Sequence, residues 1–320
     1  MPPRHPQLAR AFALSNAGQN AEAILIVNQL ASQGEPEALY TLAEMKWRGG
    51  MVAQDPPQGR ELYRRAGEAG HAQAAENHTN LLANGVAGPR DWVNALQRLR
   101  GEARRNPRRR EALALIEKMR LTDNGDPASL PEGQPLSTSP QVTSFPHLLT
   151  ATECAYLRQV AEPGYGPSTV RDAHRQLVRD PIRTSDGSTI HWLMEDPAIH
   201  ALNRRFAAIT GTSAEQGEAL QILRYRPGQQ YHRHFDYVPA ADNQRDFTVL
   251  VYLNHDYKGG ETCFVNTGLS VKGRKGDGMM FCNSLPTGEA DKMAEHAGLP
   301  VTAGAKYLAS RWIRARRWAP

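Results

Sequence analysis

The pattern of hydrophobic and polar positions divides the chain into two parts. Over residues 1–120, apolar residues recur at helical spacing, as in EALYTLAEMKW and QGRELYRRAGEAG. From residue 219 onward, short strand-like runs alternate with turn residues: ALQILRY, FTVLVYLN, ETCFVN, DGMMFCN and KYLASRWIR. Two helices are predicted between these parts, in LLTATECAYLRQVAE and PAIHALNRRFAAITG. The pattern predicts an α+β chain, in which an all-α part precedes an antiparallel barrel or double-sheet jelly roll with flanking helices.

The helical part contains an internal repeat of 36 residues, in which glycine, alanine, glycine and aspartate recur in the same order. The matched positions are Gly34 and Gly70, Ala38 and Ala74, Gly49 and Gly85, and Asp55 and Asp91. The glycines are predicted to follow helix ends. A period of this size is typical of stacked helix pairs that bury a shared apolar face.

Over roughly residues 18–118, this pattern resembles SEL-type repeats, which are relatives of tetratricopeptide repeats. The resemblance implies a concave face that contacts another protein. An array this short is equally consistent with helices that only brace the second domain. Residues 121–144 are rich in Pro, Gly, Ser and Asp, which predicts a linker. The predicted domains are therefore a helical-repeat domain over 1–120, a linker over 121–144 and a second domain over 145–320.

Composition and charge narrow the class of protein. The 320 residues carry a formal net charge of +5, which is weak support for a polyanionic partner. The run RLRGEARRNPRRR lacks interleaved aromatic residues, so a solvated helix face is favoured over a nucleic-acid site. Three scattered cysteines predict free thiols in a reducing compartment. With no long apolar run, no membrane contact is expected, and a cytoplasmic location is predicted.

The stretch YHRHFDYVPA (231–240) contains the candidate chemistry. His234 and Asp236 are two residues apart, so on a strand their side chains point to the same face. His232 shares that face and is a rival ligand. His296 follows 60 residues after Asp236 and is a candidate third ligand. Two histidines and one carboxylate with open coordination positions form the facial triad of non-haem Fe(II) oxygenases.

A lysine follows His296 at a spacing that would let it point into the same barrel. Lys306 lies ten residues after His296, at the start of the predicted strand KYLASRWIR. A lysine buried in a barrel is costly unless it is paired with an anion. A dicarboxylate co-substrate beside the metal supplies such an anion.

Several ordered motifs carry a resemblance to a known family. LRYRPGQQYHRHFDY, TVLVYLN, GGETCF, KGDGMMF and HAGLPVTAGAKYLASRWIR, with RTSDGSTI upstream, resemble the catalytic domain of prolyl 4-hydroxylases. These enzymes are 2-oxoglutarate- and Fe(II)-dependent dioxygenases with a double-stranded β-helix (jelly-roll) fold. The resemblance covers about residues 145–318 and implies Fe(II), 2-oxoglutarate and dioxygen as cofactors and co-substrates, with ascorbate as an accessory reductant.

The resemblance also implies residue roles. It assigns the iron to His234, Asp236 and His296. It implies that Lys306 and the hydroxyl of Thr248 bind the C5 carboxylate of 2-oxoglutarate. It also implies that Tyr225 forms a hydrogen bond with this co-substrate. It places Arg183 beside the substrate cleft and Trp312 near the site. His232 is expected to be exposed at the barrel mouth.

The function that these residues predict is the hydroxylation of a peptidyl residue, with proline as the leading candidate. The helical repeats would then recruit the protein substrate. One alternative keeps the chemistry but takes a free amino acid or small metabolite as substrate. Another is a repeat adaptor whose oxygenase domain is inactive, although an intact triad and Lys306 argue against it.

Overall fold

A computed structural model describes residues 5–171, 177–179 and 182–318. The chain forms two compact units, which are described separately. Unit 1 comprises residues up to Ile116 together with Trp192–His200, and unit 2 comprises Glu117–His191 and the residues from Ala201 onward. Among the described residues, no helix combines the length and apolar character that crossing a bilayer requires.

Unit 1 is helical, as the periodicity predicts. Its helices are α1 (Pro6–Asn16), α2 (Asn20–Ser32), α3 (Pro36–Arg48), α4 (Pro56–Glu68), α5 (Ala72–Asn84), α6 (Trp92–Ala103) and α7 (Pro107–Ile116). Consecutive helices pack against each other, and their apolar faces form one core that includes Leu30, Leu39, Tyr63 and Leu81. The stacked helix pairs predicted from the 36-residue period are therefore confirmed.

The repeated residues mark equivalent helix boundaries. Gly49 follows α3 and Gly85 follows α5, both with positive φ angles that favour glycine. Asp55 and Asp91 cap the next helices, because each carboxylate accepts a hydrogen bond from the backbone N–H three residues later, at 3.0 Å. The period thus repeats both the stop of one helix and the start of the next.

A segment distant in sequence completes unit 1. Asn80 and Asn84, one turn apart on α5, donate side-chain hydrogen bonds to the carbonyls of Leu193 (2.7 Å) and Trp192 (3.0 Å). The side chains of Trp192 and Leu193 also pack against the helical core. This part of the α5 surface therefore binds the chain's own backbone.

Unit 2 contains the strands, whose bounds the structure gives as follows. They are β1 (Gln134–Thr138), β2 (Gln141–Phe145), β3 (Gly166–Pro167), β4 (Thr169–Arg171), β5 (Leu177–Arg179), β6 (Asp186–Ile190), β7 (Leu220–Tyr225), β8 (Tyr231–His234), β9 (Arg245–Tyr252), β10 (Lys258–Gly259), β11 (Thr262–Phe264), β12 (Ser270–Val271), β13 (Gly278–Cys282), β14 (His296–Gly298), β15 (Val301–Ala303) and β16 (Lys306–Arg314).

These strands form a large and a small antiparallel sheet with a shared core. Among the described residues, the large sheet has the order β1-β2-β13-β9-β16-β7-β6-β3, and the small sheet has the order β12-β11-β14-β8. Leu250 and Phe281 from the large sheet and Phe264 from the small sheet belong to one buried cluster. The double-sheet jelly roll predicted from the sequence is confirmed.

The two predicted helices are also present. The first is α8 (Ala151–Ala161), where Thr150 and Glu153 form a reciprocal capping box. The second is α9 (Pro197–Thr210), which ends before Gly211 with φ of +68°. The first four residues of α9 are grouped with unit 1 and the remainder with unit 2.

The predicted linker has more structure than its composition suggests. Residues 121–144 contain β1 and most of β2, and β2 pairs with β13 in the large sheet. Val142 of β2 is fully buried in the barrel core. Proline and glycine are compatible with an edge strand, so the composition alone did not reveal this hairpin.

Candidate active site

Two antiparallel strands of the small sheet bring the candidate ligands together. β8 ends at His234, β14 begins at His296, and the two histidines lie directly opposite each other. Residues opposite each other on neighbouring strands share a face, so both imidazoles point into the barrel. The i, i+2 spacing predicted that Asp236 lies on the same strand as His234. In the structure, Asp236 lies two residues beyond the end of β8.

The three side chains nevertheless converge. His234 Nε2 lies 3.7 Å from Asp236 Oδ1, and His296 Nε2 lies 3.7 Å from Asp236 Oδ2. One potential ligand atom from each residue lies within 4.8 Å of the others. Asp236 and His296 are buried, and the side chain of His234 is also largely shielded from solvent. The rival ligand, His232, is exposed and does not belong to this cluster.

Backbone contacts fix which imidazole nitrogen faces the cluster. His234 Nδ1 lies 2.8 Å from the carbonyl oxygen of His232, and His296 Nδ1 lies 3.0 Å from that of Ala294. A carbonyl only accepts hydrogen bonds, so each Nδ1 carries the proton. Each Nε2 therefore faces Asp236 and is the nitrogen that would bind a metal ion, which is the arrangement of a metal-binding histidine.

Burial and neighbouring charges keep His234 and Asp236 in the protonation states that bind a metal ion. Burial, reinforced by neighbouring His296, lowers the pKa of His234 to about 4, so that its imidazole is neutral at physiological pH. Burial alone would raise the pKa of Asp236. The neighbouring histidines, Arg245 and a hydrogen bond from Thr248 outweigh that effect, so the pKa of Asp236 is lowered. The carboxylate is therefore ionised.

Aromatic rings hold both histidines in place. The ring of Tyr231 stacks on that of His234, with centroids 3.5 Å apart. Phe281 packs against His296 with centroids 4.8 Å apart, and Phe264 lies 5.9 Å from the same ring. The imidazoles are therefore fixed by packing as well as by hydrogen bonds. No role was predicted for these rings from the sequence, although their positions beside the ligands in sequence or register could have indicated one.

The ligand cluster opens into a pocket with about 410 Å³ of atom-free space. Alternate residues of β16, namely Lys306, Leu308, Ser310 and Trp312, line it from the large sheet. Tyr225 of β7 lies directly opposite Lys306 and also lines the pocket, as does Arg183. The structure therefore places the predicted residues Tyr225, Arg183, Trp312 and Lys306 in one pocket with the three candidate ligands.

Lys306 is a buried cation in this pocket. Its side chain donates a 2.7 Å hydrogen bond to the carbonyl oxygen of Gly260, and the residue is only 3% exposed. Within the described part of the chain, no carboxylate oxygen lies within 4.0 Å of its ammonium. Burial lowers the pKa of Lys306 to about 8, because removal from water disfavours the charged form. An anion bound in the pocket would compensate this cost.

Thr248 contacts a candidate metal ligand. Its hydroxyl donates a 2.7 Å hydrogen bond to Asp236 Oδ2, and it accepts one from Asn283 Nδ2 at 3.0 Å. The hydroxyl therefore orients the candidate metal ligand, and its predicted contact with 2-oxoglutarate stays a prediction. Asn283, which the sequence analysis missed, supports Asp236 through Thr248. Its place at the end of β13 gave no motif to recognise.

The donor set fits Fe(II). Two imidazole nitrogens and one carboxylate would leave other coordination positions of the metal open, and the buried ammonium of Lys306 suits a second, anionic group. Fold and pocket together define a 2-oxoglutarate- and Fe(II)-dependent oxygenase.

Comparison with known proteins supports this class. Residues 220–314 match the 2OG-Fe(II) oxygenase superfamily. The chain is 35% identical over 199 residues to prolyl 4-hydroxylase 1 of Arabidopsis thaliana, covering 56% of this chain and 70% of that protein. The chain belongs to the prolyl 4-hydroxylase family, and as a member it is a dioxygenase that uses Fe(II), 2-oxoglutarate and dioxygen.

Two solved structures are similar to parts of the chain. The viral collagen prolyl hydroxylase of Paramecium Bursaria Chlorella virus-1, in its 2OG complex, is 28% identical with a TM-score of 0.45, over 55% of this chain and 96% of that one. The Sel1 repeat protein of Oxalobacter formigenes is 23% identical with a TM-score of 0.31, over 34% of this chain and 47% of that one.

Proposed function

We propose that the chain hydroxylates a prolyl residue in a peptide or protein. The observation that supports this most is a single pocket in which His234, Asp236 and His296 converge beside the buried ammonium of Lys306. Relatives at 31–35% identity are named prolyl 4-hydroxylases, which favours proline over other residues.

Each pocket residue has a task that its position supports. His234 and His296 would bind Fe(II) through Nε2, and Asp236 through a carboxylate oxygen, while Thr248 orients that carboxylate. Lys306 would bind the distal carboxylate of 2-oxoglutarate, with Tyr225 beside it. When bound, Fe(II) and 2-oxoglutarate supply the oxidising power to hydroxylate an unactivated C–H bond, with dioxygen consumed and succinate and carbon dioxide released. The apolar walls exclude water from this chemistry.

The test compares substrates on the full-length protein. Prolyl peptides, free amino acids and a proline-free peptide are incubated with Fe(II), 2-oxoglutarate and ascorbate, and succinate release and oxygen incorporation are measured. Oxygen incorporation into proline within peptides is expected. Incorporation into free amino acids alone would establish the metabolite alternative. Absence of succinate release in every reaction would favour the inactive adaptor.

Recruitment of the protein substrate by the helical unit stays a prediction. The part of α5 that includes Asn80 and Asn84 binds the chain's own residues 192 and 193, which supports a bracing role for that surface. Recruitment would require another face of the unit. We also propose a cytoplasmic location, which the three free cysteines support. Fractionation of the producing cells tests it.

A further inference from the structure

A stack of side chains beside Trp312 contains residues to which no role in substrate binding has been assigned. The guanidinium carbon of Arg245 lies 3.8 Å from the centre of the Trp312 ring. Both carboxylate oxygens of Glu218 accept hydrogen bonds from Arg245, at 2.6 and 2.9 Å. We propose that Glu218 and Arg245 are positioning residues that hold the indole of Trp312 as a wall of the substrate pocket. This inference rests on the proposed function, because the ring that packs on the indole would be the substrate proline.

An irregularity in the sheet creates this stack. Trp312 lies opposite Thr248, but Arg314 lies opposite Arg245, because the register shifts between Ile313 and Arg314. A regular register would place Asp246 opposite Arg314. Trp312 and Arg314 are two residues apart and share a face, so the bulge brings Arg245 onto the face that lines the pocket.

Glu218 is itself well anchored. Its backbone N–H donates a 2.8 Å hydrogen bond to the carbonyl of Trp312, and its carboxylate accepts a second arginine, Arg314, at 2.6 Å. The side chains of Arg245 and Glu218 are 19% and 13% exposed, so the pair is partly shielded from water and salt. A two-point contact of this kind fixes the plane of the guanidinium as well as its position.

The indole depends on this stack for its orientation. Its Nε1 is buried and has no hydrogen-bond partner among the residues that the structure describes. The ring is therefore held by packing, with Arg245 on its face, and it lines the pocket together with His234 and Ser310. A ring that is already fixed loses less conformational freedom when a substrate packs against it, so the binding costs less free energy.

The principal test is peptide affinity, measured without dioxygen on protein loaded with Fe(II) and 2-oxoglutarate so that no turnover occurs. Arg245→Ala is expected to raise the Kd of a prolyl peptide by about 3- to 30-fold. Arg245→Lys keeps the charge but loses the planar two-point contact, so an intermediate increase is expected, and this variant serves if Arg245→Ala does not fold. An unchanged peptide Kd in Arg245→Lys and Arg245→Ala would overturn the proposal.

A matched control separates positioning from general stability. Arg205 makes an equivalent two-point contact with Glu153, at 2.9 Å for both hydrogen bonds, on α8 and α9 and not on the pocket wall. Arg205→Ala should lower the thermal stability without changing the peptide Kd. Equal increases in Kd for the Arg205 and Arg245 variants would overturn the inference.

A double-mutant cycle tests whether Arg245 acts through the indole. In a Trp312→Leu background, Arg245→Ala should cause no further loss of peptide affinity. An undiminished loss would show that Arg245 acts by another route, such as its charge near Asp236, and would overturn the inference.

A substrate-independent measurement distinguishes failure of this inference from failure of the proposed function. In protein labelled with fluorotryptophan, the ¹⁹F resonance of Trp312, assigned with Trp312→Phe, should shift or broaden in Arg245→Ala but not in Arg205→Ala. An unchanged resonance would overturn the inference whatever the substrate is. If wild-type protein binds no prolyl peptide while the resonance responds as expected, the proposed function fails and the positioning of Trp312 stands.

Discussion

At the residue scale, the site holds two histidines and one aspartate that are shielded from solvent. Each histidine has its Nδ1 proton committed to a backbone carbonyl, and Asp236 is oriented by Thr248. The remaining Nε2 and carboxylate atoms have no equivalent substitute nearby in the described structure. Loss of any one of these three side chains should therefore lower the affinity for the metal ion.

We expect His234→Ala, Asp236→Ala and His296→Ala each to reduce iron content and succinate formation to background while the fold persists. The reason is that each removes one of three protein ligands. His232→Ala is the control, because His232 is exposed and outside the cluster. Metal analysis, succinate assays and circular dichroism measure these outcomes. Near-normal iron content in any ligand variant would show that the ligand was chosen wrongly.

Lys306 should determine the affinity for 2-oxoglutarate. Removal of one partner from a buried, hydrogen-bonded charge pair costs about 2–5 kcal/mol, so Lys306→Ala should raise the Michaelis constant for 2-oxoglutarate at least about 30-fold. Lys306→Arg should recover part of this loss, since the charge is kept but the guanidinium needs different space. Iron binding should persist in both variants. An unchanged dependence on 2-oxoglutarate in Lys306→Ala would remove Lys306 from the co-substrate site.

The lowered pKa of Lys306 also predicts a pH dependence. Without an anion, its ammonium loses a proton as the pH rises through about 8. The bound carboxylate favours the charged form, so binding above this pH requires proton uptake. The Kd for 2-oxoglutarate should therefore be constant below pH about 7.5 and rise by up to about tenfold per pH unit above about 8.

Calorimetry without dioxygen measures this Kd, and Lys306→Arg is the control because its guanidinium stays protonated throughout this range. An identical pH profile in wild type and Lys306→Arg would assign the titration to another group.

At the scale of elements, the helix boundaries of unit 1 depend on short polar side chains. Asp55 and Asp91 occupy equivalent positions one repeat apart and cap α4 and α6. Since α4 and α6 each pack against the helices before them, a frayed first turn weakens the shared core.

Asp55→Ala and Asp91→Ala should each lower the free energy of unfolding by about 0.5–2 kcal/mol, because a backbone N–H at the helix start loses its acceptor. Asp55→Asn and Asp91→Asn are matched controls that keep a capping oxygen and should change stability much less. Chemical denaturation of the full chain gives both values. Equal losses in the Ala and Asn variants would show that charge and not capping matters at these positions.

At the scale of the whole molecule, the units do not follow the sequence order. Residues 192–200 interrupt the second half of the chain and belong to unit 1, while the hairpin of β1 and β2 belongs to unit 2. Every pocket residue lies in unit 2. A fragment that begins near residue 140 removes β1, and one that begins at residue 117 retains the complete large sheet.

A fragment of residues 117–320 should bind Fe(II) and 2-oxoglutarate but should be less stable and more prone to aggregate than the full chain. Trp192 and Leu193 are half-buried and lose the helical core against which they pack, so each loses part of the roughly 1.5–3 kcal/mol that full burial of an apolar side chain contributes. Replacing both with serine should improve the solubility of the fragment yet destabilise the full chain. A fragment that is soluble but binds neither ligand would show that unit 1 is required to form the site.

The sequence by itself determined the class of each half and most of the site. Helical periodicity and the 36-residue repeat specify the stacked helices, because amphipathic pattern and capping residues act locally. Spacing made His234, Asp236 and His296 candidate ligands with His232 as a rival, and the resemblance to prolyl 4-hydroxylases assigned the iron to the first three and 2-oxoglutarate to Lys306.

Tertiary structure alone decided the rest, because contacts between residues distant in sequence leave no local pattern. Thr248 orients Asp236 because the fold brings β9 within hydrogen-bond distance of the loop after β8, and the sequence of a hydroxyl residue does not reveal which acceptor it contacts. The hairpin of β1 and β2 in the proline-rich segment could not be predicted from the segment alone, because β2 pairs with β13, which is distant in sequence. Arg245 stacks on Trp312 only because a bulge shifts the register between two strands that lie more than sixty residues apart in sequence.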